Sequence, residues 1–198
     1  MEKDGIIEQS IIDAAKVLMQ KYGLNKTTME DIAREAGKGK STLYHYFKSK
    51  EEIFDAVINL EMDELFHSVK KAVKDQKNAS DMLKSYIVTK IKVLRSKINL
   101  YRFAIETDLQ ATKINELFSK LRSRYDGEEK NLIAYILDFG VKNNTFKTEI
   151  KAEIEVLSEL LVTCVRGVEL EIVTQGKHKT LESKAELLVH ILTQGIGK

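Results

Sequence analysis

Proline is absent from this 198-residue chain, and cysteine occurs once, at Cys164. Without proline the backbone lacks its strongest helix breaker, which favours long uninterrupted helices and an all-α fold. A single cysteine excludes an internal disulfide and a multi-thiolate metal centre, and it suits a reducing cytoplasm. No apolar run approaches the roughly 18 residues that a membrane span requires. The amino terminus, Met1-Glu2-Lys3-Asp4, mixes its charges and leads into no apolar core, so it does not read as a signal peptide. Its four histidines, His45, His67, His178 and His190, show no metal-ligand spacing. A phosphate-binding glycine loop and a nucleophile elbow are missing as well. These absences set the expectation of a cytoplasmic protein with no metal, no cofactor, no enzymatic turnover and no membrane partner.

What is present is an ordinary globular composition, 43% hydrophobic and 31% charged, on a chain long enough to bury a real core. The net charge of +2 matters less than its distribution. Between Ala36 and Lys50 stand Lys38, Lys40, His45, Lys48 and Lys50 with no acidic residue, and Glu51 and Glu52 then reverse the sign. Such a stretch could meet a polyanion, or it could be a solvated face.

Helical periodicity supplies the context. Ile7, Ile11, Ala14, Leu18 and Tyr22 recur at helical spacing, and Gly23 follows where a left-handed cap belongs. Thr27 or Thr28 can cap a second helix, because an acidic residue lies three positions beyond each. Met29, Ile32, Ala33 and Ala36 form its inner face. The Ala36-Gly37-Lys38-Gly39 run breaks the pattern before a short third helix over about 40–46, held down by Leu43 and Phe47. Ser49-Lys50-Glu51-Glu52 is a capping box opening a long helix that carries Ile53, Phe54, Val57, Leu65, Val69 and Val73. Further helices are expected at about 79–96, 99–119, 122–143, 150–175 and 181–195.

Two short helices about a glycine turn make a helix-turn-helix, whose second helix fits the DNA major groove. Residues at its amino end reach base edges, here Lys38, Gly39, Lys40, Ser41 and Thr42. Lys40 can donate to guanine, Thr42 can touch a thymine methyl, and Gly39 allows close backbone approach. Tyr44 and His45 project from the same side. Thr27 or Thr28 can bond a phosphate beside the positive end of the second helix, and Lys50 at the next helix start makes sense with a phosphate nearby.

The run Thr27-Thr28-Met29-Glu30-Asp31 through Thr42-Leu43-Tyr44-His45-Tyr46-Phe47-Lys48-Ser49-Lys50-Glu51 closely resembles the DNA-binding domain of the TetR family of transcription regulators. The resemblance spans roughly residues 6–58, and beyond it only the helical architecture matches. It implies recognition by the third helix, and phosphate contacts from Tyr44, Tyr46, a threonine and Lys50. Lys38 departs from the family, which usually has an apolar residue there, and Gly39 stands where a small hydroxyl cap is common. The implied organisation is a helix-turn-helix domain over 1–50 and a helical regulatory and dimerisation domain over 51–198, with about nine helices in all. The implied function is a sequence-specific repressor released from double-stranded DNA by a small-molecule effector. The alternative is a TetR-fold interaction or DNA-architectural protein controlled by a protein partner.

In the second domain, the helix over about 150–175 has two apolar faces. Ile150, Ile154, Leu157, Leu161, Cys164, Val168 and Ile172 form one, and Val156, Leu160, Thr163, Gly167 and Leu170 the other. The last helix repeats this, with Leu181, Ala185, Leu188 and Leu192 beside Leu187 and Ile191. A helix apolar on two sides must bury both, and the resemblance implies that these two helices pair with their copies as a homodimer reading a palindromic operator. Candidate effector-lining residues are Tyr86, Tyr101, Phe103, Phe118, Tyr125, Phe139 and Phe146, with Arg166 as an anion anchor; each also fits an ordinary core role. For Arg166 the plainer reading is a pair with Glu169 or Glu159 of its own helix, or snorkelling. For Cys164 a small buried apolar role is expected ahead of redox sensing.

Overall fold

The computed structural model describes the backbone of residues 2–96, 111–175 and 181–197, and the side chains of residues 4–96, 125–169 and 186–197. The fold is all-α. Among the described residues the helices are α1 (Glu2–Tyr22), α2 (Met29–Glu35), α3 (Lys40–Tyr46), α4 (Lys50–Lys74), α5 (Ala79–Ser96), α6 (Ala111–Lys142), α7 (Ile154–Gln175) and α8 (Leu181–Ile196), with a 3₁₀ segment over Thr148–Glu153. The break expected near residue 120 does not occur: α6 runs through it, since no glycine or proline stands there to stop a helix. The remaining expected span from 99 to 110 lies outside the described residues.

The chain packs as two compact units, one containing the residues up to Asp63, the other Glu64–Ser96 and the residues from Ser119 on. In the first, Ile11, Ala15 and Met19 of α1, Ile32 of α2, Leu43 of α3 and Ile53 and Val57 of α4 are fully or almost fully buried. Burial of branched and sulfur-bearing side chains of this size stabilises by about 1.5–3 kcal/mol each, which is what holds helices as short as α2 and α3. Tyr22 does not join this core; it is exposed, and the Lys21 ammonium lies 4.9 Å over its ring. Glu61 of α4 is buried and pairs with Lys16 of α1 at 2.5 Å.

The second unit is built around Leu83, Tyr86, Ile87 and Ile91 of α5, Ile133, Ile136 and Leu137 of α6, and Val162 and Val165 of α7. α5 packs against α7 and α8. At the end of α6, Asn144 takes φ 57° and the Thr145 N–H donates to the Gly140 carbonyl at 2.8 Å, a left-handed helix cap made by asparagine. The chain then folds Phe146 back onto Gly140, so closely that a Cβ there would fall 2.1 Å from the ring. Phe146 is therefore fully buried core. The Lys147 N–H donates to the Ile196 carbonyl, which pins the end of α8 to this turn.

Candidate nucleic-acid interface

Local chemistry explains why α2 and α3 meet as they do. Thr28 is the residue that caps α2: its Oγ1 accepts from the Asp31 N–H at 3.1 Å, and Asp31 Oδ2 accepts from the Thr28 N–H at 3.1 Å. Thr27 is buried instead, its hydroxyl donating to the Gly23 carbonyl at 2.8 Å. Of the two threonines, Thr28 alone is exposed. The carboxyl of Asp31 is held below the usual aspartate range by the Thr28 hydroxyl and N–H.

The turn is a Schellman motif. Gly37 adopts φ +63°, its N–H donates to Arg34, and the Lys38 N–H donates to Ala33 at 2.9 Å. Gly23 ends α1 in the same left-handed way, at φ +83° with its N–H on the Met19 carbonyl. Gly39, by contrast, is extended at φ −69° and caps α3 with no side-chain hydrogen bond.

Leu43 and Phe47 are buried, and they fix which side of α3 faces out. Lys40, Ser41, Tyr44 and His45 are exposed, while Lys38, Thr42 and Tyr46 are half-buried. Three of these groups already have partners within the unit. The Lys40 ammonium is paired with Glu30 of α2 and lies 5.9 Å from the Tyr44 ring. The Tyr46 hydroxyl donates to Asp4 at 3.1 Å, and burial followed by this bond raises its pKa. The Lys50 Nζ donates to the Leu24 carbonyl at 2.9 Å and lies within 3.5 Å of the Asn25 and Thr27 carbonyls. A cation at the start of α4 is thus accounted for by the carbonyls of the α1–α2 loop, without a phosphate. Ser49 caps α4 through the Glu52 N–H at 3.3 Å, but the Glu52 carboxylate reaches one residue further back, to the Lys48 N–H at 2.7 Å.

A tight left-handed turn between two short helices, with the second helix basic and turned outward by two buried anchors, is a helix-turn-helix. Residues 11–57 match the family model of the bacterial regulatory proteins, tetR family. Over those residues the chain carries a DNA-binding domain of the tetR type. The HTH-type transcriptional repressor KstR2 of Rhodococcus jostii is 29% identical over 147 residues, 73% of this chain and 70% of that protein. The Fatty acid metabolism regulator protein of Bacillus subtilis is 29% identical over 138 residues, 69% of each chain. A crystal structure of a transcriptional regulator from Cytophaga hutchinsonii superimposes with a TM-score of 0.79 at 26% identity, covering 95% of this chain and 97% of that one. The Rhodococcus jostii relative is named a transcriptional repressor of helix-turn-helix type, and the Cytophaga hutchinsonii protein a transcriptional regulator. No described helix is long and apolar enough to cross a membrane.

In the second unit, two of the expected effector-lining residues, Tyr86 and Arg166, are joined by an ionic network that periodicity did not reveal. The Tyr86 hydroxyl donates to Glu129 at 2.5 Å. Glu129 also pairs with Lys90 and accepts from Arg166 at 3.0 Å, and Arg166 pairs with Asp126 as well. Lys90 further reaches Glu169 at 3.2 Å. Tyr125 is buried beside Phe66, ring centroids 5.7 Å apart. Arg166 thus finds its partners on α6, and not in Glu169 or Glu159; Glu159 pairs with Lys130 at 3.1 Å. Phe139 is half-buried beside Tyr135, away from the network in sequence, and Phe146 is core. Tyr101 and Phe103, and the side chain of Phe118, lie outside the described residues.

The core face of α7 differs from expectation. Ser158, Leu161, Val162 and Val165 are buried, while Ile154, Leu157 and Val168 are only half-buried. Cys164 is exposed, which corrects the buried role expected for it. The second face stands out as expected: Val156 and Leu160 are each 54% exposed, and on α8 Leu187 and Ile191 are 57% and 58% exposed. Thr163 and Gly167 lie exposed between them, and Val189 is the buried centre of α8. The side chains of Leu170, Ile172, Leu181 and Ala185 lie outside the described residues.

Proposed function

We propose that this chain is a TetR-family regulator, a homodimeric repressor that reads a palindromic operator and is released from it by a small-molecule effector. The observation carrying the proposal is the outward face of α3, where buried Leu43 and Phe47 leave Lys40, Ser41, Tyr44 and His45 exposed. Lys40, Ser41 and Thr42 at the amino end of α3 contact base edges, with Lys38 and Gly39 just before them. Tyr44, His45, Tyr46, Thr28 and Lys50 serve the phosphates, while buried Thr27 ties the loop before α2 to the Gly23 carbonyl. Tyr46 and Lys50 would exchange an internal partner for DNA. Exposed Val156, Leu160, Leu187 and Ile191 support a dimer formed by α7 and α8, because a soluble monomer gains nothing from an apolar stripe on each of two helices.

The effector belongs to the regulatory unit. Arg166 is partly exposed, shares Glu129 with buried Tyr86, and would trade Asp126 for an anionic head group. Together with a relative named for fatty acid metabolism, this supports a fatty-acid-derived anion as the effector.

Replacing Lys40 and Tyr44 together by alanine tests the reading. Both are exposed, so helix content and dimer mass should persist while fluorescence anisotropy shows operator binding gone. Unchanged operator affinity would refute it. Long-chain fatty acyl thioesters added to the wild-type complex should release the DNA; a complex indifferent to them sinks the effector class.

A further inference from the structure

Lys40 begins α3, and its ammonium is held across the glycine turn by Glu30 of α2. α3 has no acidic residue in its own first turn, so its positive amino end disfavours a cation there. Glu30 supplies the compensating charge from the neighbouring helix. Its hydrogen bond from Lys40, followed by one from its own backbone, lowers its carboxyl pKa, so the pair is fully ionised at neutral pH. The two side chains are 61% and 56% exposed. Pairs this exposed add little stability, so its place on the DNA-facing side calls for another explanation.

An ammonium has three donor hydrogens, and one carboxylate occupies one or two of them. The remainder can serve the O6 and N7 acceptors of a guanine, which are neutral and do not repel Glu30. A phosphate is different: it carries a full negative charge and meets a Lys40–Glu30 pair whose net charge is zero. The carboxylate thus cancels attraction for arbitrary backbone while leaving hydrogen-bonding capacity for a base edge.

We infer that Glu30 is a specificity-determining residue, one that acts through Lys40 to hold down non-specific DNA binding while sparing base recognition. This rests on the reading of α3 as the groove helix. It treats Glu30 as a positioning and screening group, with no base contact of its own.

The experiment uses the full-length protein and two duplexes, one enriched by the wild type from a random-sequence pool and one a shuffle of it. Anisotropy titrations over a range of KCl concentrations give affinities and salt slopes. Glu30→Gln should raise affinity for the shuffled duplex about three- to tenfold and change the enriched duplex less than twofold. Its salt slope on the shuffled duplex should steepen by about 0.9, one additional phosphate neutralised. In a Lys40→Met background the same substitution should change neither duplex. An unchanged ratio between the duplexes overturns the inference, and so does an effect that persists without Lys40. If the wild type enriches no duplex at all, the groove-helix reading fails and takes the inference with it.

Discussion

Gly37 and Gly39 stand two residues apart and meet different demands. At φ +63° a side chain at Gly37 costs roughly 1–2 kcal/mol by clash with its own carbonyl, whatever space surrounds it. Gly39 has ordinary extended dihedrals, and a Cβ there meets nothing nearer than 3.9 Å. Gly37→Ala should therefore lower the melting temperature, while Gly39→Ser should hold it or raise it slightly by giving α3 a hydroxyl cap. Equal losses from both in thermal melts followed by circular dichroism would contradict this account. At this scale much was legible. The Gly23 cap depends on residues four apart, so spacing alone announces it, while the same kind of spacing offered Thr27 and Thr28 alike as the cap of α2 and burial decided for Thr28. The partners of Lys50 lie 23 to 26 positions away, and nothing local indicates them.

The helices α5, α6 and α7 are tied together by charges in their interior, at Lys90, Glu129 and Glu169. Burial pushes the Glu129 carboxyl up, but Lys90, Tyr86 and Arg166 together outweigh it and leave its pKa below the ordinary glutamate value. Burial and the charge of Glu129 instead raise Glu169, against the pull of Lys90. The signs differ accordingly. Glu129, depressed in the fold, stabilises above its unfolded value near 4.5, and that contribution is lost as pH falls through its folded value. Glu169, raised in the fold, costs stability once it ionises. Glu129→Gln should thus destabilise by about 3–5 kcal/mol at neutral pH, a loss that shrinks below pH ~4.5. Glu169→Gln should be neutral or stabilising at the same neutral pH. Matching losses in urea melts of the two variants would refute the distinction. Helix periodicity identified α5 and α7 but could not pair them, because each ionic partner lies on another helix.

At the scale of the whole molecule, the dimer proposal makes the DNA affinity depend on α7 and α8. Leu160→Glu with Ile191→Glu places charge on two exposed positions, so the folded protomer should survive. Light scattering should then report a mass near 22.6 kDa, and operator affinity should fall by about 10²–10⁴ as the second reading head is lost. A double variant that stays dimeric would show that the apolar stripes face something else.

The amino-acid sequence alone determined the helix-turn-helix, because caps, glycine turns and apolar spacing act between near neighbours. It marked Lys40, Tyr44 and His45 as candidate DNA contacts, since buried Leu43 and Phe47 leave the rest of so short a helix outside. Only the tertiary structure decided that Thr27 is buried, that Arg166 answers to Asp126 and Glu129, and that Cys164 faces outward. It also placed Glu30 beside Lys40, turning what reads as a basic helix into one with a tethered charge. Each of these depends on how one helix is rotated against another, and that rotation is set by the packing of the whole core.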